Sequence, residues 1–187
     1  CDLILARGIR KRYLINARLE IARRPDVLCK MERAGVAVIL LGIESAHDKT
    51  LRSMRKGFST AKIREYFEVL RNRAMIMHGY FIMGNIGESA EDMMQVAPFA
   101  HDLGVDTLSI ALLRNEQYSG LDELVAQNQA YHIAPNGKIY SDHCSLKELK
   151  RLRHGVYKKF YTKRQVLGIL NRANRQRLGR GLCKDDF

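Results

Sequence analysis

The feature that most constrains the fold is a regular alternation of apolar strands with single helices over the first part of the chain. Residues 36–43 (VAVILLGI) are almost wholly apolar, as expected of a strand that is covered on both faces. Three more strands are predicted, at residues 13–21, 75–83 and 105–113. Because single helices of ordinary length separate these strands, the pattern indicates parallel βαβ units.

Signals for helix starts and ends fall between the predicted strands. Pro25 occupies an allowed first-turn position of one helix, and Gly35 follows its end. Ser59 is placed to cap the next helix. Ser89, followed three residues later by Asp92, is typical of a capping box in front of a third helix.

The alternation stops after residue 113. The later signals are a short helix near residues 121–129, a turn at 135–137, a capped helix from Ser145 towards Phe160 and a basic helix over 165–178. The sequence therefore predicts an α/β part with parallel strands over residues 1–115, followed by a mostly helical extension over residues 116–187.

Length and composition limit the class of protein. The 187 residues suffice for one domain with a core, and 46% hydrophobic with 28% charged residues is typical of a globular chain. No apolar run approaches the length of a transmembrane helix, and the first residues do not resemble a secretory signal. The chain begins at Cys1 without an initiator Met, inside a predicted helix. This start predicts a fragment of a longer protein.

The cysteines are too widely spaced for a metal site that the sequence alone could define. We therefore expect no metal bound by this chain and mostly free thiols in a reducing, cytoplasmic compartment. The four cysteines are Cys1, Cys29, Cys144 and Cys183.

The formal net charge is +12, and much of it lies near the C-terminal end. Such a stretch can attract RNA or an anionic membrane surface. We favour a solvated helical face, or one that covers acidic parts of a missing domain, because no aromatic-rich nucleic-acid motif accompanies the charge. The basic residues concerned are Lys147, Lys150, Arg151, Arg153, Lys158, Lys159, Lys163, Arg164, Arg172, Arg175, Arg177 and Arg180.

Two segments are candidates for chemistry. The motif GIES, residues 42–45, stands at the carboxyl end of the most apolar strand, where parallel α/β folds gather their ligands. A carboxylate at Glu44 can accept two hydrogen bonds from a ribose diol. The alternative is a glutamate that caps the next helix or pairs with an arginine, and the motif alone would favour that alternative.

The second segment is GYFIMGNIGES, residues 79–89, an apolar strand that ends in glycines before a polar helix start. Glycines there let the backbone approach a flat ligand and open a helix N-terminus. The alternative is an ordinary strand-to-helix turn, with Glu88 and Asp92 placed favourably against the helix dipole.

The order and spacing of these segments, over roughly residues 1–115, resemble the radical S-adenosylmethionine (radical SAM) superfamily. The resemblance implies the C-terminal part of a partial (βα) TIM-like barrel. Relatives with a GIES strand end often carry a cobalamin-binding domain before the barrel, so cobalamin is implied for a full-length protein. The matching segments, in order, are Ala17-Arg18-Leu19-Glu20, Arg24-Pro25-Asp26, Arg33-Ala34-Gly35, GIES, Met54-Arg55-Lys56-Gly57 and GYFIMGNIGES.

The resemblance also implies roles for residues at matching positions. Glu44 would help to hold the SAM ribose, with Ser45 beside it. Ile82 would pack near the adenine and offer backbone hydrogen bonds, flanked by Phe81 and Gly84.

Further candidates follow from strand alternation. Arg18 and Glu20 are expected to share one face of the first strand, where they would contact the methionyl group or substrate, or take part in an ion pair inside the barrel. His78 and Tyr80 share the face of Ile82 on a later strand. They would face substrate or belong to the core.

The sequence departs from the family at its defining loop. The C-x-x-x-C-x-x-C motif, whose thiolates hold a [4Fe–4S] cluster, is absent, so this chain alone should bind no cluster and be inactive. Ile86 also stands where relatives often have proline, and residues 116–121 replace a more usual Pro-rich turn. The cluster cysteines are expected upstream of Cys1.

The function implied for the full-length protein is that of a metal-binding Fe–S oxidoreductase. Such an enzyme cleaves SAM reductively and starts radical chemistry on an organic substrate. Its implied partners are the missing N-terminal half, that substrate and a reductant such as flavodoxin or ferredoxin. The alternative is a basic RNA-binding module on a degenerate, cluster-free barrel scaffold.

Overall fold

A computed structural model describes residues 1–117 and 119–177 of the chain. Its centre is a parallel sheet of four strands in the order β1–β2–β3–β4. The strands are β1 (Tyr13–Ala17), β2 (Val36–Glu44), β3 (Ile76–Met83) and β4 (Thr107–Leu112). The prediction of a parallel α/β fold is confirmed.

Helices cover one face of this sheet. They are α2 (Pro25–Arg33), α3 (Asp48–Ser53), α4 (Thr60–Leu70), α5 (Ala90–Met94) and α6 (Val96–Leu103). The short helix α1 (Asp2–Ala6) precedes β1 and buries none of its residues. Alternate residues of the strands, such as Leu41, Phe81 and Ile110, are buried in one core with apolar residues of these helices. The residues between them form the opposite face of the sheet, which is only partly covered.

The predicted helix caps are confirmed. The Ser59 hydroxyl accepts a hydrogen bond from the Lys62 amide at 3.2 Å, and Ser89 with Asp92 forms a reciprocal capping box. Gly35 ends the turn after α2 at a φ of 94°. A β-carbon there would lie 2.1 Å from the Lys11 carbonyl oxygen, so only glycine fits.

The predicted strand over residues 13–21 is wrong in its second half. β1 ends at Ala17, and Leu19–Arg23 forms a 3₁₀ helix. Leu19 and Ala22, three residues apart, are 1% and 6% exposed. Because a 3₁₀ helix repeats every three residues, this spacing buries both side chains together, which an alternating strand would not do.

The C-terminal part is mostly helical but contains a hairpin that the sequence did not predict. α7 (Leu121–Ala126) leads to β5 (Tyr131–Ile133) and β6 (Ile139–Ser141), which pair antiparallel around the predicted turn. α8 (Leu146–Phe160) begins with the predicted capping box, and α9 (Lys163–Arg177) follows it. The division into two parts at residue 115 stays a prediction.

α8 and the residue that follows it, Tyr161, contact the outer edge of the sheet through two tyrosine hydroxyls. The Tyr157 hydroxyl accepts a hydrogen bond from the Ile110 amide at 2.9 Å. The Tyr161 hydroxyl accepts one from the Leu108 amide at 3.0 Å and donates one to the Leu108 carbonyl at 3.1 Å. These hydroxyls thus bond the main-chain groups of β4.

α9 lies across the amino-terminal end of the sheet. Its Gln165 amide donates to the Val105 carbonyl at 2.8 Å, and its Gln176 amide donates to the Ala37 carbonyl at 2.8 Å. Arg172 pairs with Asp106 at 3.1 Å, and the other Asp106 oxygen accepts the Met77 amide at 2.8 Å. α9 therefore ties together the segments that enter three of the strands.

Two cysteine thiols, those of Cys1 and Cys144, are free, whereas Cys29 is disulfide-bonded. The expectation of free thiols is therefore wrong for Cys29. Cys183 lies outside the described residues. Across residues 1–117 and 119–177, no helix is long and apolar enough to cross a membrane.

Candidate active site

A cavity of about 400 Å³ lies on the open face of the sheet, near the carboxyl ends of the strands. All four parallel strands contribute to its wall, as expected for the ligand end of a parallel sheet. The residues that line it are Asn16, Ala17, Leu40, Gly42, Glu44, Tyr80, Phe81, Ile82 and Ala111.

Glu44 ends β2 in a backbone conformation that glutamate rarely adopts. Its φ is 72°, in the left-handed region, and the pairing of β2 with β3 shifts register between Gly42 and Glu44. A non-glycine residue held there carries about 1–3 kcal/mol of strain, and such strain clusters at functional sites. The irregularity directs the Glu44 carboxylate to the cavity wall.

Gly42 makes room for that carboxylate. A β-carbon at residue 42 would lie 2.7 Å from the Glu44 Oε1 atom. Any larger residue would force the carboxylate away. The glycine of the GIES motif therefore has a steric role directly beside the acidic side chain.

Lys56 completes this arrangement. Its Nζ lies 2.9 Å from Glu44 Oε1, and the Glu44 side chain is only 14% exposed. Arg55, just before it, has a φ of 54°; in the described part of the chain, Glu44 and Arg55 are the non-glycine residues with positive φ. Glu44 Oε2 accepts no hydrogen bond from residues 1–117 or 119–177, so this oxygen can bind a ligand.

Ser45 does not face the cavity. It is 1% exposed, and its hydroxyl accepts a hydrogen bond from the His47 amide at 3.1 Å. This bond shapes the turn from β2 into α3. The structure therefore places Ser45 as a support for Glu44.

The three predicted adenine-side residues occupy different places. Ile82 lines the cavity with a half-buried side chain. Phe81 packs its ring in the core on the opposite face, so its main chain is the part that borders the cavity. Gly84, at a φ of 80°, lies against Leu149 of α8 and outside the cavity.

Glu88 organises the loop that follows β3. Its Oε2 accepts hydrogen bonds from the Gly84 amide at 2.8 Å and the Asn85 amide at 3.0 Å. Burial raises the pKa of this carboxyl, although the hydrogen bonds from Asn85 and Gly84 oppose the shift. Glu88 therefore holds the glycine-containing turn in shape rather than facing the cavity.

His78 and Tyr80 lie on the open face of β3. The His78 ring nitrogens lie 2.8 Å from Thr107 Oγ1 and 3.1 Å from Ser109 Oγ, and burial lowers the pKa of the imidazole. Tyr80 packs edge-to-face on this ring, with centroids 4.8 Å apart, and borders the cavity. Both ring nitrogens of His78 thus have hydrogen-bond partners, its ring supports Tyr80, and Tyr80 can contact a ligand.

Arg18 and Glu20 do not share a strand face, because they lie after the end of β1. Arg18 is exposed at the start of the 3₁₀ helix, and neither residue lines the cavity. Glu20 Oε2 is buried without a hydrogen bond from the described residues. The prediction of paired polar residues on the inner face is wrong for this reason.

Two residues of the site, Asn16 and Lys56, were not predicted from the sequence. Asn16 lines the cavity from β1, where its amide interrupts an apolar strand. Lys56 stood in a matching segment, but nothing in its neighbours indicated a contact with Glu44 twelve residues away. A polar side chain inside an apolar strand was a usable signal for Asn16, and Lys56 had none.

The described residues do not fit an iron–sulfur cluster. No three His, Cys, Asp or Glu side chains converge within residues 1–117 and 119–177. Three thiolates are needed to hold such a cluster in the way the family does. We therefore derive no chemical step through a cluster on these residues.

Comparisons with known proteins give partial matches. Over 86 residues, 46% of this chain, it is 30% identical to protein YhcC of Escherichia coli K12. Over 77 residues, 41% of the chain, it is 35% identical to the anaerobic magnesium-protoporphyrin IX monomethyl ester cyclase of Synechocystis. No protein-family model matches the chain.

A solved structure of Elp3 from the archaeon Methanocaldococcus infernus, with an N-terminal deletion, shares the fold. Its TM-score is 0.57 at 17% identity, over 69% of this chain. The matched regions cover 28% of YhcC, 15% of the cyclase and 29% of the Elp3 chain. The likeness to Elp3 shows a shared fold, and this chain spans less than a third of each of these three proteins.

Proposed function

We propose that this chain is part of a radical SAM enzyme and forms the wall of its SAM site that contacts the ribose and adenine. The observation that carries the proposal is the Glu44 carboxylate, held in a left-handed conformation at the cavity wall beside Gly42. Backbone strain of this kind clusters at active sites and ligand clamps, which supports a functional role for Glu44.

The geometry suits a ribose. Lys56 occupies Glu44 Oε1, which fixes the orientation of the carboxylate and leaves Oε2 to accept a hydroxyl hydrogen bond. Hydrogen bonds to an ionised carboxylate are among the stronger ones in proteins. The diol of a nucleoside therefore has a ready acceptor in Glu44.

The rest of the cavity wall offers an apolar surface for a flat base and polar groups that can contact a substrate. Leu40, Ile82 and Ala111 give an apolar surface of the kind on which a purine packs. Asn16 and the Tyr80 hydroxyl add polar groups on the same wall. We assign Ser45, Phe81 and Gly84 to the backbone scaffold that holds Glu44 and Ile82 in place.

The cofactor supplies the difficult chemistry. A [4Fe–4S] cluster held by another part of the protein would supply the electron for SAM cleavage, and a flavodoxin or ferredoxin would be its reductant. The role of this chain is to bind the nucleoside, orient it and shape the substrate side of the cavity. None of the similarities supports cobalamin, and we do not include it.

The proposal is tested by nucleoside binding. Isothermal titration of the 187-residue chain with 5′-methylthioadenosine, and with its 2′-deoxy analogue, isolates the contribution of the diol. We expect 5′-methylthioadenosine to bind more tightly than its 2′-deoxy analogue. Glu44→Gln should lower the affinity for 5′-methylthioadenosine about tenfold or more, because it weakens a hydrogen bond to a charged group. Glu123→Gln, at an exposed residue of α7, is the matched control.

Two results would contradict the proposal. One is equal binding of the two nucleosides by the unmodified chain. The other is a Glu44→Gln variant that keeps its folded circular dichroism spectrum and binds as tightly as the control. A longer chain that contains the three cysteines should in addition form 5′-deoxyadenosine under reducing conditions, and should lose that activity with Glu44→Gln.

A further inference from the structure

The outer face of α8 carries a row of exposed cations. Lys147, Lys150, Arg151 and Lys158 are all exposed, and their spacing places them on one side of the helix. We call these four residues the basic stripe. Exposed His154 lies between them on the same side.

The basic stripe has a single acidic neighbour within α8, Glu148, which lies three residues before Arg151. Residues 145–177 contain eleven Lys and Arg residues but a single acidic one, Glu148. Glu148 Oε2 is occupied by the Ser145 amide and hydroxyl, both at 2.8 Å. No residue of the stripe forms an ion pair within the described parts of the chain. A row in which cations outnumber carboxylates to this extent attracts an anionic polymer.

A cavity of about 680 Å³ opens beside the stripe. Arg151 belongs to both, and the carboxyl groups of Glu88 and Glu148 also line the cavity. Tyr131 and His143, from the hairpin and the segment after it, bring aromatic rings to the wall. The sequence offered no aromatic motif beside the charge, because these rings come from residues that only folding brings to α8.

Gly155 and Met94 form part of the apolar wall of this cavity. A β-carbon at residue 155 would make ordinary contact with the Met94 side chain, at 3.4 Å from its Cε. Longer side chains at residue 155 would therefore occupy the space that the glycine leaves. Glycine inside a helix is unfavourable for the helix itself.

A nucleobase fits this combination better than a lipid. The exposed face of α8 presents no large apolar side chain among residues 146–160 that could enter a membrane. A base, in contrast, packs its flat apolar faces against aromatic and apolar walls while phosphates meet the cations. Bases in a duplex are stacked and paired, so only an unpaired base can enter the cavity.

We propose that the basic stripe and the adjoining cavity bind single-stranded nucleic acid, with phosphates on the stripe and one unstacked base in the cavity. The site is separate from the Glu44 cavity and shares no lining residue with it. It does not depend on the proposed SAM chemistry.

The test is fluorescence anisotropy with a labelled single-stranded RNA of about twelve nucleotides, within the usual size range of such sites. It is run with the 187-residue chain over a series of salt concentrations. The triple variant Lys147→Gln, Arg151→Gln, Lys158→Gln should lower the salt slope by about two, since each phosphate contact contributes about 0.7 on single strands. Affinity in about 0.1 M salt should fall about a hundredfold, near fivefold per contact. A matched control neutralises three exposed cations elsewhere, Arg7, Arg10 and Arg52.

The cavity is tested separately. Gly155→Leu places a side chain inside the cavity, and Ala90→Phe narrows its exposed rim in case the first variant does not fold. Each should weaken binding of the single strand about fivefold, the lower end of the contribution of a stacked base, and leave the salt slope unchanged. When the RNA is annealed to its complement, the cavity variants and the unmodified chain should bind it with equal affinity.

Three outcomes would overturn the proposal. The first is an equal loss of RNA affinity in the control and stripe variants. The second is a duplex that binds as tightly as the single strand. The third is a chain that binds vesicles of phosphatidylserine and phosphatidylcholine but does not bind the RNA. If the cavity variants bind the RNA as tightly as the unmodified chain, no base enters the cavity. None of these results bears on nucleoside binding at Glu44.

Discussion

The left-handed conformation of Glu44 makes a specific prediction about stability. We compare Glu44→Gly with Glu44→Ala, because both remove the carboxylate and its pairing with Lys56. They differ in the cost of the backbone, whose φ is 72°. At an ordinary strand position the alanine variant would be the more stable, since glycine gains more freedom on unfolding.

At residue 44 the order should be reversed. An alanine in the left-handed region costs about 1–2 kcal/mol, and glycine avoids that cost. The extra freedom of glycine in the unfolded chain offsets about 0.4–1 kcal/mol of this gain. The glycine variant should therefore have the larger free energy of unfolding, by about 1 kcal/mol.

Urea unfolding of the two variants measures the difference. With a slope of about 2 kcal/mol per molar urea, the midpoint of the glycine variant should lie about 0.5 M higher. Val38→Gly and Val38→Ala form the control pair, on the same strand and the same open face. There the alanine variant should be the more stable. If the alanine variant at residue 44 is as stable as the glycine variant, the backbone at this position is not strained.

Three further predictions concern the scaffold, and each is checked by urea unfolding. Arg172→Met leaves the buried Asp106 carboxylate unpaired and should lower the free energy of unfolding by about 2–4 kcal/mol. Adding Asp106→Asn should recover part of that loss; a double variant less stable than Arg172→Met would contradict the pairing. Burial lowers the pKa of His78, so the unfolded chain binds its proton more readily, and the free energy of unfolding should fall as the pH drops below about 6.5. His78→Gln should lack that part of the slope, and an unchanged slope would show that His78 does not cause it. Tyr157→Phe removes the acceptor for the Ile110 amide and should cost about 1 kcal/mol, whereas no change in the midpoint would mean that water replaces the hydroxyl.

Local patterns predicted most of the parallel sheet. The apolar run of β2 and the capping residues Ser59 and Ser89 are signals that act over a few residues, and the structure confirms them. The first strand was predicted too long because apolar and polar residues alternate through residue 21. Burial of Leu19 against the neighbouring helices decided its structure, and that contact is not local.

The hairpin was missed for a related reason. Its strands, Tyr131–Ile133 and Ile139–Ser141, have three residues each. Three residues are too few to show a period of two, so only the turn between them carried a signal. Strands this short are stabilised by hydrogen bonds to the partner strand across the turn.

The site was predicted in part. Glu44, Ile82 and Tyr80 line one cavity, as the motifs and strand alternation indicated. The contact of Lys56 with Glu44 depends on the path of the chain through α3, which the sequence does not encode within a short window. Arg18 left the inner face because the strand that would have held it ends one residue earlier.

Two tyrosine hydroxyls cover the β4 edge of the sheet, whereas the β1 edge is open to pairing with a further strand. Tyr157 and Tyr161 occupy main-chain groups of β4 that a fifth strand would otherwise use. The opposite edge, β1, pairs with β2 and with no other strand in the described part of the chain. A further strand, from another segment or another molecule, would therefore pair beside Tyr13–Ala17, the edge that no described strand covers.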